Sequence, residues 1–407
     1  MENNKFLIIF IDALRFDYLQ KMPRLKKTIK QARYGKTTVE LGFASRMGAF
    51  FTGRKPVEHG FFTLFYCTKN SDFKWIKAFI PFVKMLSSFK PLEKLLKYIT
   101  FALMNLASFV KGHHYFFYLK GAPLDLLPFI EIVIKKHYCE KGAFPVPTLF
   151  DAFRKKKLKF HFYMWPFYLT NKKVHVELPV SKFNSDQHRL RRFKKILKKD
   201  GDVFFAQFFN LDTAGHAFGI KSKQLQEEIK FTDKLIDDLK NDFWSKHPGG
   251  NILIWTDHGM TPIKKILNVQ KKIDKMKLVP IKDYLYFIDA TMVRVWPKNK
   301  KAEKVILKEL RKTNLVELTP ALRKKYDIDY SNEKYGKIIF QAPSGTLLFP
   351  NFFECHHSPK AMHGYFPETP TEKGAYVLIS PKYSPGYQEK KTRDLYKLVL
   401  DIFDVDY

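Results

Sequence analysis

The residues that could carry chemistry are acidic and histidine side chains next to apolar runs. Asp257 and His258 come directly after the run ILIWT at residues 252–256, where two adjacent polar side chains have no packing purpose. Asp212 and His216 are four residues apart, a spacing that puts both side chains on one face of a helix. Imidazole nitrogens combined with carboxylate oxygens suit zinc, and manganese accepts the same set. The sequence therefore predicts a divalent-metal site.

Further candidates lie in separate parts of the chain. Asp12 ends the apolar run FLIIFI at residues 6–11, and His363 lies near the C-terminus. A hydroxyl group near residue 45 is the remaining candidate, and Ser45 supplies it. A single Asp–His pair is weak evidence, but several such segments that each follow an apolar run are a strong signal.

The elements that must position these side chains alternate between strand and helix. Three apolar runs, 6–11, 203–209 and 252–256, are typical of buried parallel strands. This alternation predicts an α/β fold with a doubly wound, mostly parallel sheet flanked by helices. Ligands of such sheets bind beyond the carboxyl ends of the strands, so the candidate residues should converge on one site. The helical patterns lie at 22–33, 186–198, 221–241 and 389–403.

Two segments break this alternation, so we predict one catalytic domain, 1–407, with two insertions. Residues 61–145 are aromatic, rich in lysine and helix-like, and they predict a helical insertion over the edge of the active site. Residues 278–355 combine short alternating strands with a helical stretch near 301–311, which predicts a small α+β lid.

These candidate segments resemble a known family. They are similar to the type I phosphodiesterase/nucleotide pyrophosphatase branch of the alkaline phosphatase superfamily, over residues 5–60, 200–262 and 360–380. The resemblance implies an alkaline-phosphatase-like fold. The segments that carry it are Ile11-Asp12-Ala13-Leu14-Arg15, the run from Thr52-Gly53 to His59-Gly60, Asp212-Thr213-Ala214-Gly215-His216, Thr256-Asp257-His258-Gly259-Met260 and His363-Gly364-Tyr365.

The resemblance also implies two divalent metal ions, zinc or alternatively manganese. Asp212, His216 and His363 would hold one ion. The other would be held by Asp12, Asp257, His258 and the oxygen of the nucleophile, Ser45. Two such ions clamp the attacking and leaving oxygens of a phosphoryl transfer.

Ser45 departs from the family in its position. The family has a Thr or Ser at the start of the helix that leads into the Thr-Gly motif, and Ser45 lies about two positions closer to Thr52. We expect Ser45 to be the N-cap of this helix and the nucleophile; a cap without a catalytic role is the alternative. The family's Asn after the nucleophile is missing, and Arg15 or Arg46 could replace its contact with phosphate through charge-assisted hydrogen bonds.

The charge of the chain favours anionic partners. Seventy-two Lys and Arg against 40 Asp and Glu give a net charge of +32. Phosphorylated substrates, an anionic membrane surface and nucleic acid are candidates, although no specific nucleic-acid site is predicted. A lysine-rich but merely solvated surface is the alternative. Residues 76–119 would form either an amphipathic element at a membrane surface or a buried helical insertion with snorkelling lysines.

Composition and termini predict a cytoplasmic protein, peripheral to the membrane. The three cysteines, Cys67, Cys139 and Cys355, are too few and too far apart for a disulfide framework. The N-terminal apolar run is too short for a secretory signal, and no apolar stretch approaches the roughly 20 residues that cross a bilayer.

These observations predict a metal-dependent hydrolase of phosphate esters, specifically a phosphodiesterase or nucleotide pyrophosphatase. Two alternatives remain open: a phosphomonoesterase of the same superfamily, and a catalytically inactive, basic membrane- or nucleic-acid-binding protein on this fold. His356 and His357 would lie near the pocket, either on the surface or in contact with substrate.

Overall fold

Apolar segments form the central strands of this chain, and amphipathic segments form its longer helices. The computed structural model describes residues 5–81, 85, 90–111, 119–164, 167–170, 174–176 and 185–405. Its strands are β1 (Phe6–Ile11), β2 (Arg33–Thr38), β3 (Phe65–Cys67), β4 (Ile130–Ile132), β5 (Phe160–Met164), β6 (Phe167–Thr170), β7 (Val174–Val176), β8 (Val203–Phe208), β9 (Asn251–Trp255), β10 (Thr261–Pro262), β11 (Lys265–Leu267), β12 (Tyr284–Ile288), β13 (Met292–Pro297), β14 (Val316–Glu317), β15 (Ile338–Gln341), β16 (Thr346–Leu348), β17 (Ala361–Met362), β18 (Gly374–Ile379), β19 (Gly386–Tyr387) and β20 (Lys390–Lys391). Its α-helices are α1 (Pro23–Ile29), α2 (Phe43–Thr52), α3 (Pro56–His59), α4 (Lys90–Val110), α5 (Leu149–Lys155), α6 (Asp186–Leu197), α7 (Asn210–Phe218), α8 (Lys223–Lys246), α9 (Val269–Asp274), α10 (Lys300–Arg311), α11 (Pro320–Lys325) and α12 (Asp394–Ile402).

A large, mostly parallel sheet organises the chain. Within the described residues, ten strands form it in the order β19-β2-β18-β9-β1-β8-β5-β6-β7, with β20 paired to β2. β1 lies between β8 and β9 and is parallel to both, and every residue of these three strands is buried. The carboxyl ends of the three strands therefore meet at one edge of the sheet.

Helices cover both faces of this sheet. On one face, α1, α6 and α8 pack over a core that includes Leu25, Phe193 and Leu225. On the other face, α2, α5 and α12 pack over a core that includes Phe50 and Phe150. This arrangement confirms the predicted doubly wound α/β fold.

A second, smaller sheet lies within residues 278–355. β12, β13, β15 and β14 form an antiparallel sheet in that order, and α10 packs against it. Its buried residues belong to a cluster that we call the lid core, which includes Tyr284, Phe287 and Ile306. The division of the chain into one domain with two insertions stays a prediction.

The 61–145 segment contributes to the same lid core. Phe101 and Met104 of α4 belong to it, together with residues of β3 and β4. The parts of this segment at 82–84, 86–89 and 112–118 lie outside the described residues. In the described part of the chain, no helix is both long enough and apolar enough to span a bilayer.

Some helix boundaries differ from the sequence predictions. The pattern at 22–33 predicts one helix, but α1 ends at Ile29 and Arg33 begins β2. The pattern at 389–403 likewise includes β20 before α12 begins. Local apolar spacing does not mark these transitions, because β2 and β20 are held by pairing with distant strands or with each other.

The contact between α2 and the sheet can be tested by truncating Phe50. Its ring is fully buried and stacks on Trp255 of β9 with the ring centroids 3.7 Å apart. We expect Phe50→Ala to lower the free energy of unfolding by about 3–5 kcal/mol, because it leaves a cavity under the helix. Urea unfolding followed by circular dichroism measures this change. Phe218→Ala, at a side chain that is 53% exposed, is the control and should change stability by less than about 0.5 kcal/mol. Equal losses of stability in Phe50→Ala and Phe218→Ala would contradict the assignment of Phe50 to the core between α2 and the sheet.

Candidate active site

The three central strands deliver the candidate ligands to one place. Asp12 comes directly after β1, and its backbone N–H still donates to the Phe208 carbonyl oxygen of β8 at 2.9 Å. Asp257 and His258 follow β9, while α7, which begins two residues after β8, carries Asp212 and His216. Because these strands are parallel neighbours, side chains far apart in sequence become neighbours in space.

Asp12, Asp257 and His258 form the first candidate metal-binding group. The Nε2 atom of His258 lies 3.2 Å from Asp12 Oδ1 and 3.4 Å from Asp257 Oδ2. The Nδ1 atom of the same ring lies 2.8 Å from the Gly259 carbonyl oxygen. Since a carbonyl oxygen only accepts hydrogen bonds, this contact places a proton on Nδ1 and orients Nε2 toward the carboxylates.

Asp212, His216 and His363 form the second group. The Nε2 atoms of His216 and His363 lie 3.3 and 3.8 Å from Asp212 Oδ1. The Nδ1 atom of His216 lies 2.8 Å from the Ala361 carbonyl oxygen, so its ring is oriented in the same way as that of His258.

The two groups contact each other through their histidine rings. The rings of His258 and His363 stack with centroids 3.6 Å apart and planes 15° from parallel. Burial, followed by the nearby carboxylates of Asp257 and Asp212, raises the pKa of Asp12 well above its usual value. Burial and the neighbouring His258 and His216 hold the pKa of His363 well below its usual value. The site therefore combines crowded carboxylates with one imidazole, that of His363, whose neutral form is favoured.

The donor set fits divalent cations. Asp12 Oδ1, Asp212 Oδ1, Asp257 Oδ1 and His363 Nδ1 are buried atoms without a hydrogen-bond partner in the structure. Buried polar atoms are almost always satisfied, and unpaired carboxylate oxygens next to imidazole nitrogens are what a metal ion neutralises. The seven predicted ligands thus include six side chains that the structure brings together in two groups of three.

Ser45 is the predicted ligand that does not join them. Its side chain is fully buried, and its hydroxyl lies 2.7 Å from the carbonyl oxygens of both Leu41 and Gly42, to which it donates. The prediction that it caps the helix is wrong, because Gly42 is the N-cap of α2. Attack by Ser45 stays a prediction from the sequence, and this burial argues against it.

Phe43 occupies the position at the start of α2 that faces the site. It is 43% exposed, and its ring centroid lies 5.5 Å from that of His363. Successive residues of an α-helix are about 100° apart, so Ser45 points roughly 200° away from Phe43. The helix therefore presents an aromatic ring to the site, and its serine lies on another face.

The two predicted phosphate-binding arginines are engaged elsewhere. Arg15 donates to both carboxylate oxygens of Asp17 at 2.8 and 2.7 Å and to the Met260 carbonyl oxygen at 2.7 Å. Arg46 is fully buried and donates from Nη2 to Glu372 Oε2 at 2.9 Å. Neither of them lines the cavity described below, so contact with substrate stays a prediction that these ion pairs do not support.

Sequence reasoning missed Glu372 and the role of Gly259. Glu372 Oε2 accepts from Arg46 and also from the Gly364 backbone N–H at 2.9 Å, so it ties α2 to the loop that carries His363. A Cβ atom on Gly259 would lie 2.1 Å from the Thr371 carbonyl oxygen, so only glycine permits this close approach. The motif that contains Gly259 could have suggested the role of this glycine. Nothing in the sequence distinguishes Glu372 from the other acidic residues.

A cavity of about 770 Å³ opens beside the second group. Phe43 forms one wall, and the turn between β12 and β13 forms another. His357 lines the cavity, whereas His356 does not. A space of this size accommodates a substrate group larger than the phosphate itself.

The Arg46–Glu372 pair yields a stability prediction. Both side chains are 0% exposed, so Arg46→Ala leaves a buried carboxylate without its partner. We expect a loss of about 3–5 kcal/mol in the free energy of unfolding, measured with urea. Lys325→Ala removes one partner of the exposed Lys325–Glu368 pair and should leave stability unchanged. Unchanged stability in Arg46→Ala would show that the buried pair does not hold the two elements together.

Known structures share the fold of this chain. The fold is similar to that of murine ectonucleotide pyrophosphatase / phosphodiesterase 5, with a TM-score of 0.67 and 15% sequence identity, over 99% of this chain and 95% of that one. An inactive threonine-to-alanine form of the murine protein in complex with AMP matches with the same values. The human protein of the same name matches at 16% identity, a TM-score of 0.67 and the same coverage. A model of the family described as Type I phosphodiesterase / nucleotide pyrophosphatase matches residues 6–366. The resemblance seen in the motifs is therefore confirmed, and the chain belongs to the type I phosphodiesterase / nucleotide pyrophosphatase family.

Proposed function

We propose that this protein hydrolyses phosphate esters, with phosphodiesters as the substrate class. The observation that carries this proposal is the pair of Asp/His groups beside a cavity, where five side chains that follow β1, β8 and β9 meet His363. Family membership supports the same activity. A phosphomonoesterase and a catalytically inactive binding protein are the two alternatives.

The metal requirement belongs to the proposal. Asp212, His216 and His363 would hold one divalent ion, and Asp12, Asp257 and His258 would hold another. Zinc suits the mixture of nitrogen and oxygen donors, and manganese is the alternative. When bound, the ions supply Lewis acidity and neutralise charge on the phosphoryl oxygens.

The protein's own residues would orient the substrate and the ligands. The backbone contacts of His216 and His258 fix their ring orientation, so each Nε2 atom is held toward the site before substrate arrives. The Arg46–Glu372 pair holds the His363 loop against α2. The ring of Phe43 lies beside that of His363 at the site.

Metal content and turnover test this proposal together. We expect the zinc-loaded chain to hold two equivalents of metal and to hydrolyse bis(4-nitrophenyl) phosphate faster than 4-nitrophenyl phosphate. His363→Ala should hold one equivalent and lose at least about a hundredfold in kcat/KM, because it removes a ligand of one group. Elemental analysis and absorbance of released nitrophenolate measure these quantities.

His357→Ala is the matched control, since His357 lines the cavity without belonging to either group. It should retain both equivalents of metal. Faster release from the monoester would favour a phosphomonoesterase. A chain that binds no metal and hydrolyses neither compound would favour the inactive binding protein.

Ser45→Ala tests the nucleophile separately. A serine that attacks phosphorus cannot be replaced by alanine without losing several orders of magnitude in rate, roughly 10⁴-fold or more. Because the Ser45 hydroxyl is buried and donates to carbonyl oxygens, we expect turnover within tenfold of the parent, with water as the source of the attacking oxygen. A loss of several orders of magnitude, in a variant with an unchanged circular dichroism spectrum, would instead establish Ser45 as the nucleophile.

A peripheral membrane contact is the second proposal, and α4 motivates it. Leu95, Ile99, Leu103, Leu106 and Val110 recur every three or four residues on this helix, and each is 46–78% exposed. The opposite face packs into the lid core. An apolar helical stripe that faces solvent is typical of elements that lie in a membrane interface.

Charge favours an anionic membrane as the occupant of this stripe. The chain carries +32 overall. Lys111, which follows α4, lies 3.0 Å from Asp72, so the end of the helix is close to the segment with exposed Lys74 and Lys77. Burial and the nearby charges of Lys69 and Lys77 lower the pKa of Lys298, which shows that cations crowd this region. A cytoplasmic location, which the small number of cysteines suits, is part of the same proposal.

Liposome co-sedimentation tests the contact. We expect the full chain to bind vesicles that contain phosphatidylserine and not neutral vesicles, and to be released at 1 M salt, where the Debye length is about 3 Å. Replacing Leu103 and Leu106 with Gln should abolish binding. Ile266→Gln, at another apolar side chain that is 51% exposed, should not. If both variants bind the vesicles equally well, α4 does not contribute to membrane binding.

A further inference from the structure

The cavity beside Asp212 differs in charge from the rest of this basic protein. Among the described residues that line it, none is a lysine or an arginine. Its acidic residues are Asp212, Asp289 and Glu354. The chain carries a net charge of +32, yet the described residues of this wall include no lysine or arginine. The composition of the wall therefore indicates which substrates the cavity admits.

Two of these carboxylates are already paired with cations behind the wall. Asp289 accepts from Arg294 Nε at 2.9 Å, and Arg294 itself is fully buried. Glu354 accepts from Lys120 at 3.1 Å and from the backbone N–H groups of Cys355 and His356. The cations are thus committed to the protein's own acids and do not offer a charge to a ligand.

Three neutral polar side chains of the wall are committed as well. Thr63 donates to the Phe65 carbonyl oxygen and Thr291 to that of Gly364, each at 2.9 Å. The amide of Asn351 accepts from two backbone N–H groups and donates to the Leu348 carbonyl oxygen. What the wall offers a ligand is therefore largely carbon. The apolar side chains among its residues are Phe43, Leu64, Met292, Phe353 and Met362.

We propose that this cavity selects substrates whose group next to the scissile phosphate is uncharged and largely apolar, and that it rejects a further phosphate or carboxylate there. The inference rests on the proposed function and names the substrate class of the same site. An anion placed against the part of this wall away from the metal-binding group would lose water without gaining a lysine or an arginine side chain. An aromatic or aliphatic ester group would lose little and would contact Phe43.

Direct binding of two matched, non-hydrolysable ligands tests the selection. Phenyl methylphosphonate and 4-carboxyphenyl methylphosphonate carry the same phosphonate and differ by one remote charge. Isothermal titration of the zinc-loaded full chain should give at least about tenfold tighter binding of the phenyl compound. Equal or tighter binding of the carboxyphenyl compound, or no binding of either, would overturn the proposal.

A pair of variants places this selection in the cavity wall. Ala217 lines the cavity on α7 and is exposed, so a longer side chain can be accommodated there. Ala217→Lys should reduce the preference for the phenyl compound several-fold, whereas Ala217→Gln, of similar length and no charge, should leave it intact. If the two variants behave alike, the wall does not set the preference.

Turnover separates this inference from the proposed function. A chain that shows the binding preference but does not hydrolyse bis(4-nitrophenyl) phosphate would contradict the hydrolase proposal and leave the assignment of the cavity standing. A chain that hydrolyses the diester but binds both phosphonates equally well would support the hydrolase proposal and contradict the selection by the cavity.

Discussion

The repulsion among three crowded, largely enclosed carboxylates is the constraint on which the rest of this structure depends. Asp12, Asp212 and Asp257 converge where three strands end, and burial together with the neighbouring carboxylates already raises the pKa of Asp12. Such a cluster is unfavourable by itself, so the surrounding fold must hold it together. Parallel pairing of β1 with β8 and β9 provides this support, because hydrogen bonds along buried strands fix the positions of the backbone.

A surrounding layer of contacts converts this backbone arrangement into a defined site. Carbonyl oxygens orient the rings of His216 and His258, while Glu372 joins α2 to the loop of His363. Gly259 permits the chain to pass close to Thr371, which brings this loop against the end of β9. These contacts fix the orientation of the candidate Asp and His side chains. Rigid orientation lowers the cost of reorganisation in a catalytic site.

The sequence was sufficient for the parts of the fold that local pattern determines. Buried parallel strands are continuous apolar runs, so β1, β8 and β9 could be located, and with them five of the six Asp and His side chains of the two groups. The orientation of Ser45 could not be predicted, because the start of α2 depends on Gly42, whose φ of +96° and close approach to Phe62 involve tertiary contacts. The partner of Arg46 could not be predicted either, since Glu372 is 326 residues away in sequence. Long-range ion pairs leave no local pattern.

The shared lid core has a mechanical consequence. Met104 of α4 and Phe287 of β12 belong to one buried cluster, and β12 leads directly into the turn that forms the outer wall of the cavity. Close-packed interiors transmit strain because they are nearly incompressible. A load on the exposed side of α4 would therefore reach that wall through packed side chains of one buried cluster.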